Sequence, residues 1–333
     1  FKLKSYIFFM FLITLSKLQQ ALLEMLFMLK ELGHDNSTLT VAALGDNMES
    51  KESILKSIPV SKVVATKNLD TNKFNPNILK KVATNIVERL NPSKIIIPKT
   101  SIGQDLATRL AYSCNMGIVN DCLYIENNDD KWIGVRPVFG GNYFAKVKAT
   151  TDSQIFCVRT KVFEELTDNS VTPDIEFYEN DINIDSSTQI LERTQEQSDG
   201  IKLEDAEIVV AGGRGLGGPE PFETLDEIAG LLNAAVGASR AVCDAGWKDH
   251  SYQIGLTGKD ISPNLYFTVG ISGASQHMAG CGNSKHIVSI DKNIDANIFK
   301  DAEIGAVGDW KNILPGFLDT LRVLEYGYIC TTI

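Results

Sequence analysis

The sequence predicts an α/β protein of two domains, each organised around a parallel sheet. Apolar runs rich in β-branched residues alternate with segments of helical periodicity, the pattern of strands joined by helical crossovers. Three consecutive isoleucines at 95–97 leave no polar face, as expected for a strand buried on both sides of such a sheet. The length of 333 residues exceeds the roughly 100–200 residues of one domain.

The first domain begins with an apolar run at 6–15, which we interpret as a buried first strand. The run is similar to the apolar core of a signal peptide, but no small-residue cleavage site follows it. It is also shorter than the ~20 residues of a membrane span. Further strands are expected at 39–44, 62–66, 94–98 and 117–126, with helices at 17–32, 77–90 and 103–115.

The pattern changes after residue 132. Residues 132–160 predict short strands joined by Gly-Gly and polar turns, and their order in a sheet cannot be read from the periodicity. Residues 164–204 are acidic and polar, with strand-like runs at 174–180 and 186–194. This shift in composition predicts a boundary near residue 200, with one domain at 1–200 and a second at 201–333.

In the second domain, four expected strands end in glycine, serine or aspartate. The strand at 207–210 enters the turn GGRGLGG and a helix at 221–232, and the strand at 265–270 enters GISGASQH and a helix start. Two later strands lie at 286–291 and within 302–310. Because the carboxyl ends of parallel strands meet at one edge, where nucleotide cofactors bind, a Rossmann-like domain is predicted.

Neither glycine loop is a phosphate-binding fingerprint by itself. GGRGLGG lacks the GxGxxG spacing of dinucleotide-binding folds and the Gly-Lys-Ser/Thr of a Walker A loop. Two such loops after successive strands, each opening a helix, favour a pyrophosphate through backbone N–H groups and the helix dipole.

Polar side chains accompany these glycines, and each also has an ordinary structural explanation. Thr257 could be a turn hydroxyl, Asp309 a helix N-cap, and Arg240 the partner of Asp244 on a surface helix. Taken together at successive strand ends, they favour a bound nucleotide cofactor. The residues in question are Arg214, Ser239, Arg240, Thr257, Ser272, Gln276, His277, Asp291 and Asp309.

Charge, cysteine spacing and missing catalytic motifs exclude several classes of function. A net charge of −10 and a pI near 5.0 argue against nucleic acid as the main partner. Six scattered cysteines form neither a disulfide framework nor a metal motif. No nucleophile elbow, HExxH motif or paired carboxylates supply a base, so the pattern indicates a protein that holds and tunes a redox cofactor.

Several segments together resemble the α subunit of electron transfer flavoprotein. They are GGRGL, AAVGASR, TGK, PNLYFTVGISGASQHMAG and VGDWKNILP, and they run in order from about residue 207 to 321. A weaker, colinear similarity continues through the first domain in IIIPKTSIGQDLATRLA and RPVFGGN.

The resemblance implies a heterodimer with a β subunit. It implies that the domain at 201–333 is a Rossmann-like (DHS-like) domain holding most of one FAD, while the domain at 1–200 packs against the β subunit, which holds AMP. Electrons would come from acyl-CoA and related dehydrogenases and leave singly to a membrane quinone oxidoreductase or another acceptor. The chain would be an electron carrier rather than an enzyme with its own substrate.

The resemblance also implies which residues contact FAD. Thr257 would lie near flavin N5, His277 would face O2 as a positive or hydrogen-bond-donating group, and Arg240 would lie over the ring. The glycines would let the backbone approach the flavin and phosphates. The positions are Arg214, Ser239, Arg240, Ile254, Gly255, Leu256, Thr257, Ser272, Gly273, Ala274, Ser275, Gln276, His277, Asp291, Asp309 and Trp310.

Two positions depart from the family pattern. Leu256 stands where glutamine is common, which removes one side-chain hydrogen bond. Asp291 stands where asparagine is common, and its carboxylate would repel a pyrophosphate unless it takes a ribose hydroxyl.

Alternatives remain at this point. The chain could be a non-redox nucleotide-binding module, or an electron-bifurcating family member coupled to NADH; an enzyme with its own substrate is disfavoured by the missing base. Without an Arg/Ser-rich transit peptide, the bacterial cytoplasm is expected, with the mitochondrial matrix as the alternative.

Overall fold

The computed structural model describes residues 6–11, 15–67, 69, 75–128, 131–139, 141, 143–167, 170–179, 192 and 200–329. The chain divides into two compact units. The first comprises residues 1–138 and 144–194, and the second comprises residues 139–143 and 195–333. Parallel sheets dominate both units, so the predicted α/β class is confirmed.

The predicted strands at 39–44, 62–66 and 94–98 are observed with the same bounds. Between residues 6 and 178, the strands are β1 (Tyr6–Phe11), β2 (Leu39–Leu44), β3 (Lys62–Thr66), β4 (Lys94–Pro98), β5 (Gly117–Cys122), β6 (Tyr124–Asn128), β7 (Lys131–Val138), β8 (Tyr143–Val147), β9 (Gln154–Val158) and β10 (Asp174–Tyr178). The helices are α1 (Leu15–Glu31), α2 (Glu52–Lys56), α3 (Pro76–Leu90) and α4 (Ser101–Ser113).

Capping side chains set where two of these helices begin. The Thr100 hydroxyl accepts a hydrogen bond from the Gly103 N–H at 2.9 Å, so α4 begins two residues before the prediction. Asn75 caps α3 in the same way, with Pro76 at the first helical position.

Seven strands of the first unit form one parallel sheet in the order β10-β3-β2-β1-β4-β9-β5. The predicted first strand, β1, lies between β2 and β4 near the middle of this sheet. β9 comes from the segment at 132–160 and inserts between β4 and β5, whereas β6, β7 and β8 form a separate three-stranded sheet. β10, from the polar stretch at 164–204, pairs with β3; the other strand-like run there, at 186–194, lies outside the described residues apart from Glu192.

Helices cover both faces of the seven-stranded sheet. Alternate residues of β2 point to opposite cores: Val41 packs in the cluster that contains α1, and Ala42 packs in the cluster that contains α3 and α4. Full burial of each Val, Leu or Ile side chain contributes about 1.5–3 kcal/mol. These two cores therefore explain why the strands read as continuous apolar runs.

The second unit contains a six-stranded parallel sheet in the order β13-β12-β11-β14-β15-β16. Its strands are β11 (Ile208–Gly212), β12 (Ala235–Ser239), β13 (Gln253–Ile254), β14 (Leu265–Val269), β15 (His286–Asp291) and β16 (Ile304–Val307), and its helices are α5 (Phe222–Leu231), α6 (Arg240–Asp244), α7 (Ser275–Met278) and α8 (Trp310–Ile329). No helix within the described ranges is long and apolar enough to cross a membrane.

β12 was not expected, because its sequence AVGAS has a weak strand propensity. Tight packing explains the composition. A Cβ atom on Gly237 would lie 2.3 Å from Cδ1 of Ile254, so a larger residue would displace β13.

A buried carboxyl group lies in the first unit. Glu24 of α1 is 1% exposed, and Oε2 accepts a hydrogen bond from the Lys161 N–H at 2.5 Å. Burial raises the pKa of Glu24 from 4.5 to about 7, and the nearby Glu165 carboxylate adds to this shift. Ionisation of Glu24 in the folded chain therefore costs stability as the pH rises between these two values.

We expect Glu24→Gln to gain stability relative to the wild type as the pH rises from 4.5 to about 7, and to level off above it. The slope is at most about 1.4 kcal/mol per pH unit, and the total gain is about 1–3 kcal/mol. Urea unfolding followed by tryptophan fluorescence measures this difference. The exposed Glu52→Gln is the control, and a pH-independent difference for Glu24→Gln would contradict the assignment.

Candidate functional site

Two glycine-rich loops meet where the strand order of the second unit reverses. From β11 the chain moves outward to β12 on one side, and β14 lies on the other side. The loop after β11 and the loop after β14 therefore leave the sheet next to each other. In open parallel sheets, the crevice at this reversal is where ligands bind.

The glycines of these loops pack backbone against backbone. A Cβ atom on Gly213 would lie 2.0 Å from the carbonyl oxygen of Gly270, and one on Gly215 would lie 2.8 Å from the Gly270 Cα. The Gly215 N–H donates to that same carbonyl at 3.0 Å. Gly270 itself has a φ of +66°, which favours glycine.

A second close contact joins the turn after β13 to the segment after α7. A Cβ atom on Gly280 would lie 2.6 Å from the Gly255 Cα, and Gly255 has a φ of +135°. On the loop after β14, a Cβ atom on Gly273 would meet the Ile298 nitrogen at 2.3 Å. At Gly213, Gly215, Gly273 and Gly280, the position of an added Cβ atom is filled by neighbouring backbone.

These loops surround a cavity of about 860 Å³ at the carboxyl edge of the sheet. This volume lies within the range of small-molecule and cofactor sites, roughly 300–1,000 Å³. Thirteen of the sixteen predicted FAD-contacting residues line it: Arg214, Ser239, Arg240, Ile254, Gly255, Leu256, Thr257, Ser272, Gly273, Ala274, Gln276, His277 and Asp291.

Three predicted residues do not line the cavity. The Asp309 carboxylate accepts a hydrogen bond from the Lys311 N–H at 3.0 Å, at the start of α8. Trp310 packs against the core that contains α5 and α8. The Ser275 hydroxyl donates to Oε1 of Gln276 at 3.3 Å.

Seven lining residues were not predicted: Gly215, Ala241, Asp244, Gln253, Gly270, Ile271 and Lys292. Lys292 directly follows Asp291 at the end of β15 and could have been inferred from that neighbour. Gly270 lies within the GISGASQH segment but was treated as the end of a strand.

The cavity lining has more positive than negative side chains. It contains three cations, Arg214, Arg240 and Lys292, against two carboxylates, Asp244 and Asp291, in a chain of net charge −10. Nε of Arg240 lies 3.3 Å from Asp244, in an exposed pair of little energetic weight. Arg214 makes no ion pair within the described part of the chain and is available to an anion.

Helix dipoles contribute less here than the sequence suggests. The loop after β11 passes through a short 3-10 turn, and α5 begins at Phe222, which does not line the cavity. α7 is a single turn of four residues. The first residues of α6, which has five residues, also line the cavity, so the side-chain cations add to the partial charges of two short helices.

His277 is buried below the loop after β14. Its side chain is 7% exposed, and Nε2 lies 2.7 Å from the hydroxyl oxygen of Tyr266. Burial lowers the pKa of His277 to about 4, an effect that the Ile254 carbonyl only partly opposes. The imidazole is thus neutral near pH 7, which leaves hydrogen-bond donation, and not positive charge, as its means of stabilising an anion.

A polar chain orients Thr257. Nδ1 of His250 lies 3.1 Å from Oε1 of Gln253, and Nε2 of Gln253 donates to the Thr257 hydroxyl oxygen at 2.9 Å. Because that oxygen accepts from Gln253, the hydroxyl proton of Thr257 is available to another acceptor. The sequence gives no signal for Gln253, since the contact arises from a turn in which the Lys259 N–H donates to the Gln253 carbonyl.

Comparison with known proteins agrees with this arrangement. Residues 202–282 match the family described as the electron transfer flavoprotein FAD-binding domain, and residues 14–182 match the electron transfer flavoprotein domain. The chain belongs to the electron transfer flavoprotein family, as an α subunit. The resemblance inferred from the glycine-loop motifs is therefore confirmed.

Individual relatives cover nearly the whole chain. The electron transfer flavoprotein subunit alpha of Thermoanaerobacterium thermosaccharolyticum is 36% identical over 93% of this chain and 95% of its own length. That of Bacillus subtilis is 35% identical over 85% of this chain and 87% of its own. A probable mitochondrial subunit of Cryptococcus neoformans is 33% identical over 90% and 86%.

Membership in this family gives the second unit an FAD-binding domain and implies a β-subunit partner. The cavity fits such a cofactor. Its cations suit a diphosphate, and the lining also includes the apolar side chains of Ile254, Leu256 and Ile271, which suit a ring system. Nδ1 of His277 is buried without a hydrogen-bond partner in the described part of the chain, as expected where a ligand supplies the acceptor.

We expect Gly213→Ala to lower the free energy of unfolding by at least about 1–3 kcal/mol, because its Cβ would force the two glycine loops apart. Gly230→Ala within α5 is the matched control. Nothing lies within 4 Å of the added Cβ there, so stability stays unchanged or rises by up to about 1 kcal/mol. Chemical denaturation compares the two, and equal stabilities would contradict the role of Gly213.

Proposed function

We propose that this chain, with its β subunit, holds one FAD in the cavity of the second unit and carries electrons singly between partner proteins. The observation that supports this most strongly is the cavity at the reversal of strand order, with thirteen of the expected contact residues around it. The family match over residues 202–282 supports the same cofactor.

Within this proposal, each group of residues has a distinct task. Arg214 and Lys292 balance the diphosphate, and Arg240 lies beside the ring. Thr257, oriented by Gln253, donates its hydroxyl proton, and neutral His277 donates an N–H. Bound FAD supplies a ring that accepts and releases electrons, and these donors favour negative charge on it.

The departures from the family pattern act on this site in different ways. Leu256 is 64% exposed at the cavity and offers an apolar side chain where an amide is common. The Asp291 carboxylate accepts from the Asn293 N–H at 2.8 Å, so it is partly satisfied before any ligand binds. We propose that it faces a ribose hydroxyl rather than a phosphate.

The remaining parts of the proposal concern partners and location. Acyl-CoA and related dehydrogenases donate the electrons, and a quinone oxidoreductase or another acceptor receives them. The β subunit holds AMP and packs against a domain ending near residue 200, a division supported by the gap between the two family matches. The cytoplasm of a bacterium is the proposed location, with the mitochondrial matrix as the alternative.

Co-expression of the chain with its β subunit tests the cofactor. We expect a yellow complex with one FAD for each α–β pair. An acyl-CoA dehydrogenase with its substrate should reduce the bound flavin, which is followed by the loss of flavin absorption. A complex without flavin absorption that binds ATP would contradict the proposal in favour of a non-redox nucleotide-binding module. A flavin reduced directly by NADH would favour the bifurcating alternative.

Arg214→Ala tests the positive charge beside the diphosphate. Because a hydrogen bond to a charged group contributes about 1.5–3 kcal/mol, we expect the Kd for FAD to rise at least about tenfold. Arg322→Ala is the matched control, since Arg322 is an exposed arginine of α8 paired with Glu227 and does not line the cavity. FAD release followed by fluorescence gives both values, and an unchanged Kd in Arg214→Ala would exclude this contact.

A further inference from the structure

We propose that Tyr266 is a positioning residue for the FAD site. Its hydroxyl donates to Nε2 of His277 and so fixes the imidazole as the tautomer that carries its proton on Nδ1. This inference rests on the proposed function only for the identity of the ligand that Nδ1 meets. The tautomer itself is a property of the chain.

The two side chains form a close, buried pair. Tyr266 is 0% exposed in β14, and its hydroxyl oxygen lies 2.7 Å from Nε2 of His277. The two rings are nearly parallel, with centroids 6.1 Å apart and an interplanar angle of 25°. Tyr266 does not line the cavity, so it acts on a ligand through His277.

The direction of the hydrogen bond follows from the groups around the hydroxyl. The Tyr266 hydroxyl is buried, so its proton needs an acceptor among the neighbouring groups, and burial also raises the pKa of Tyr266 well above its usual value. The neighbouring acceptors are Nε2 of His277 and the sulfur of Cys281. Imidazole nitrogen is a far stronger acceptor than thiol sulfur, and the Cys281 thiol itself donates to the His277 carbonyl at 3.4 Å.

The state of the other ring nitrogen then follows. A neutral imidazole has one protonated nitrogen, so accepting at Nε2 leaves the proton on Nδ1. Nδ1 is buried and has no partner within hydrogen-bond geometry among the described residues, although the Ile254 carbonyl lies near enough to the imidazole to oppose the fall in its pKa, and His277 lines the cavity. A buried N–H donor without an acceptor is unfavourable, and an electron-rich carbonyl of the flavin ring would satisfy it.

The wild-type complex provides the first test. Nitrogen NMR of the FAD-loaded α–β complex, labelled with 15N-histidine, distinguishes protonated from unprotonated ring nitrogens. The His277 signals are those that disappear in His277→Asn. We expect a protonated Nδ1 and an unprotonated Nε2 at pH 7. A protonated Nε2 would overturn the proposal without any need for a tyrosine variant.

Tyr266→Phe provides the second test. Loss of the hydroxyl removes the donor to Nε2, so we expect His277 signals of both tautomers and a shift of the first flavin reduction to lower potential. Tyr252→Phe is the control, because Tyr252 lies in the same unit outside the cavity lining. It should change neither readout. An unchanged tautomer in Tyr266→Phe would overturn the role of Tyr266.

Different results would contradict the proposed function and the positioning role of Tyr266. FAD content is measured by absorption on the same samples. A complex that lacks FAD would contradict the proposed function, whereas the nitrogen spectrum would still report the tautomer of His277. A complex that contains FAD but has Nε2 protonated would retain the proposed function and exclude the positioning role of Tyr266.

Discussion

Backbone packing between two glycine loops is the constraint on which the site depends. The loops after β11 and β14 leave neighbouring strands, and only the absence of Cβ atoms at Gly213 and Gly215 lets them approach Gly270 this closely. This contact fixes Arg214 on one loop relative to Ser272 and Gln276 on the other. The cavity therefore has its form before any ligand enters, which lowers the ordering cost of binding.

Electrostatics at this site combine a few exposed cations with two neutral donors, of which His277 is buried and Thr257 is exposed. Arg214 and Lys292 provide charge at the rim, where water screens it. His277 is buried and uncharged, and Thr257 is oriented by the amide of Gln253. A buried donor such as His277 stabilises developing negative charge with little reorganisation. Neutral donors thus act at this site alongside the permanent positive charges of Arg214, Arg240 and Lys292.

The sequence was sufficient for the class of the fold, the bounds of the strands at 39–44, 62–66 and 94–98, and most of the cavity lining. The single strand expected at 117–126 is instead two strands, β5 and β6, which lie in different sheets. Strands such as β2 and β4 can be predicted from the sequence because both of their faces are apolar. β12 could not be predicted because tight packing requires small residues there, and small residues have a low strand propensity. The roles of Gln253 and Tyr266 could not be predicted because they depend on hydrogen bonds between segments that only the folded chain brings together.

The pairing of β10 with β3 affects how the first unit folds during synthesis on the ribosome. Lys62 pairs with Asp174, so one edge of the sheet stays open while 112 further residues emerge from the ribosome. At about 5–20 residues per second, that interval is roughly 5–20 s. Throughout it, the segment KVVAT offers an apolar strand with free N–H and C=O groups to other nascent chains. The order of the strands in the sheet, rather than their sequences, thus sets how long this edge stays open during synthesis.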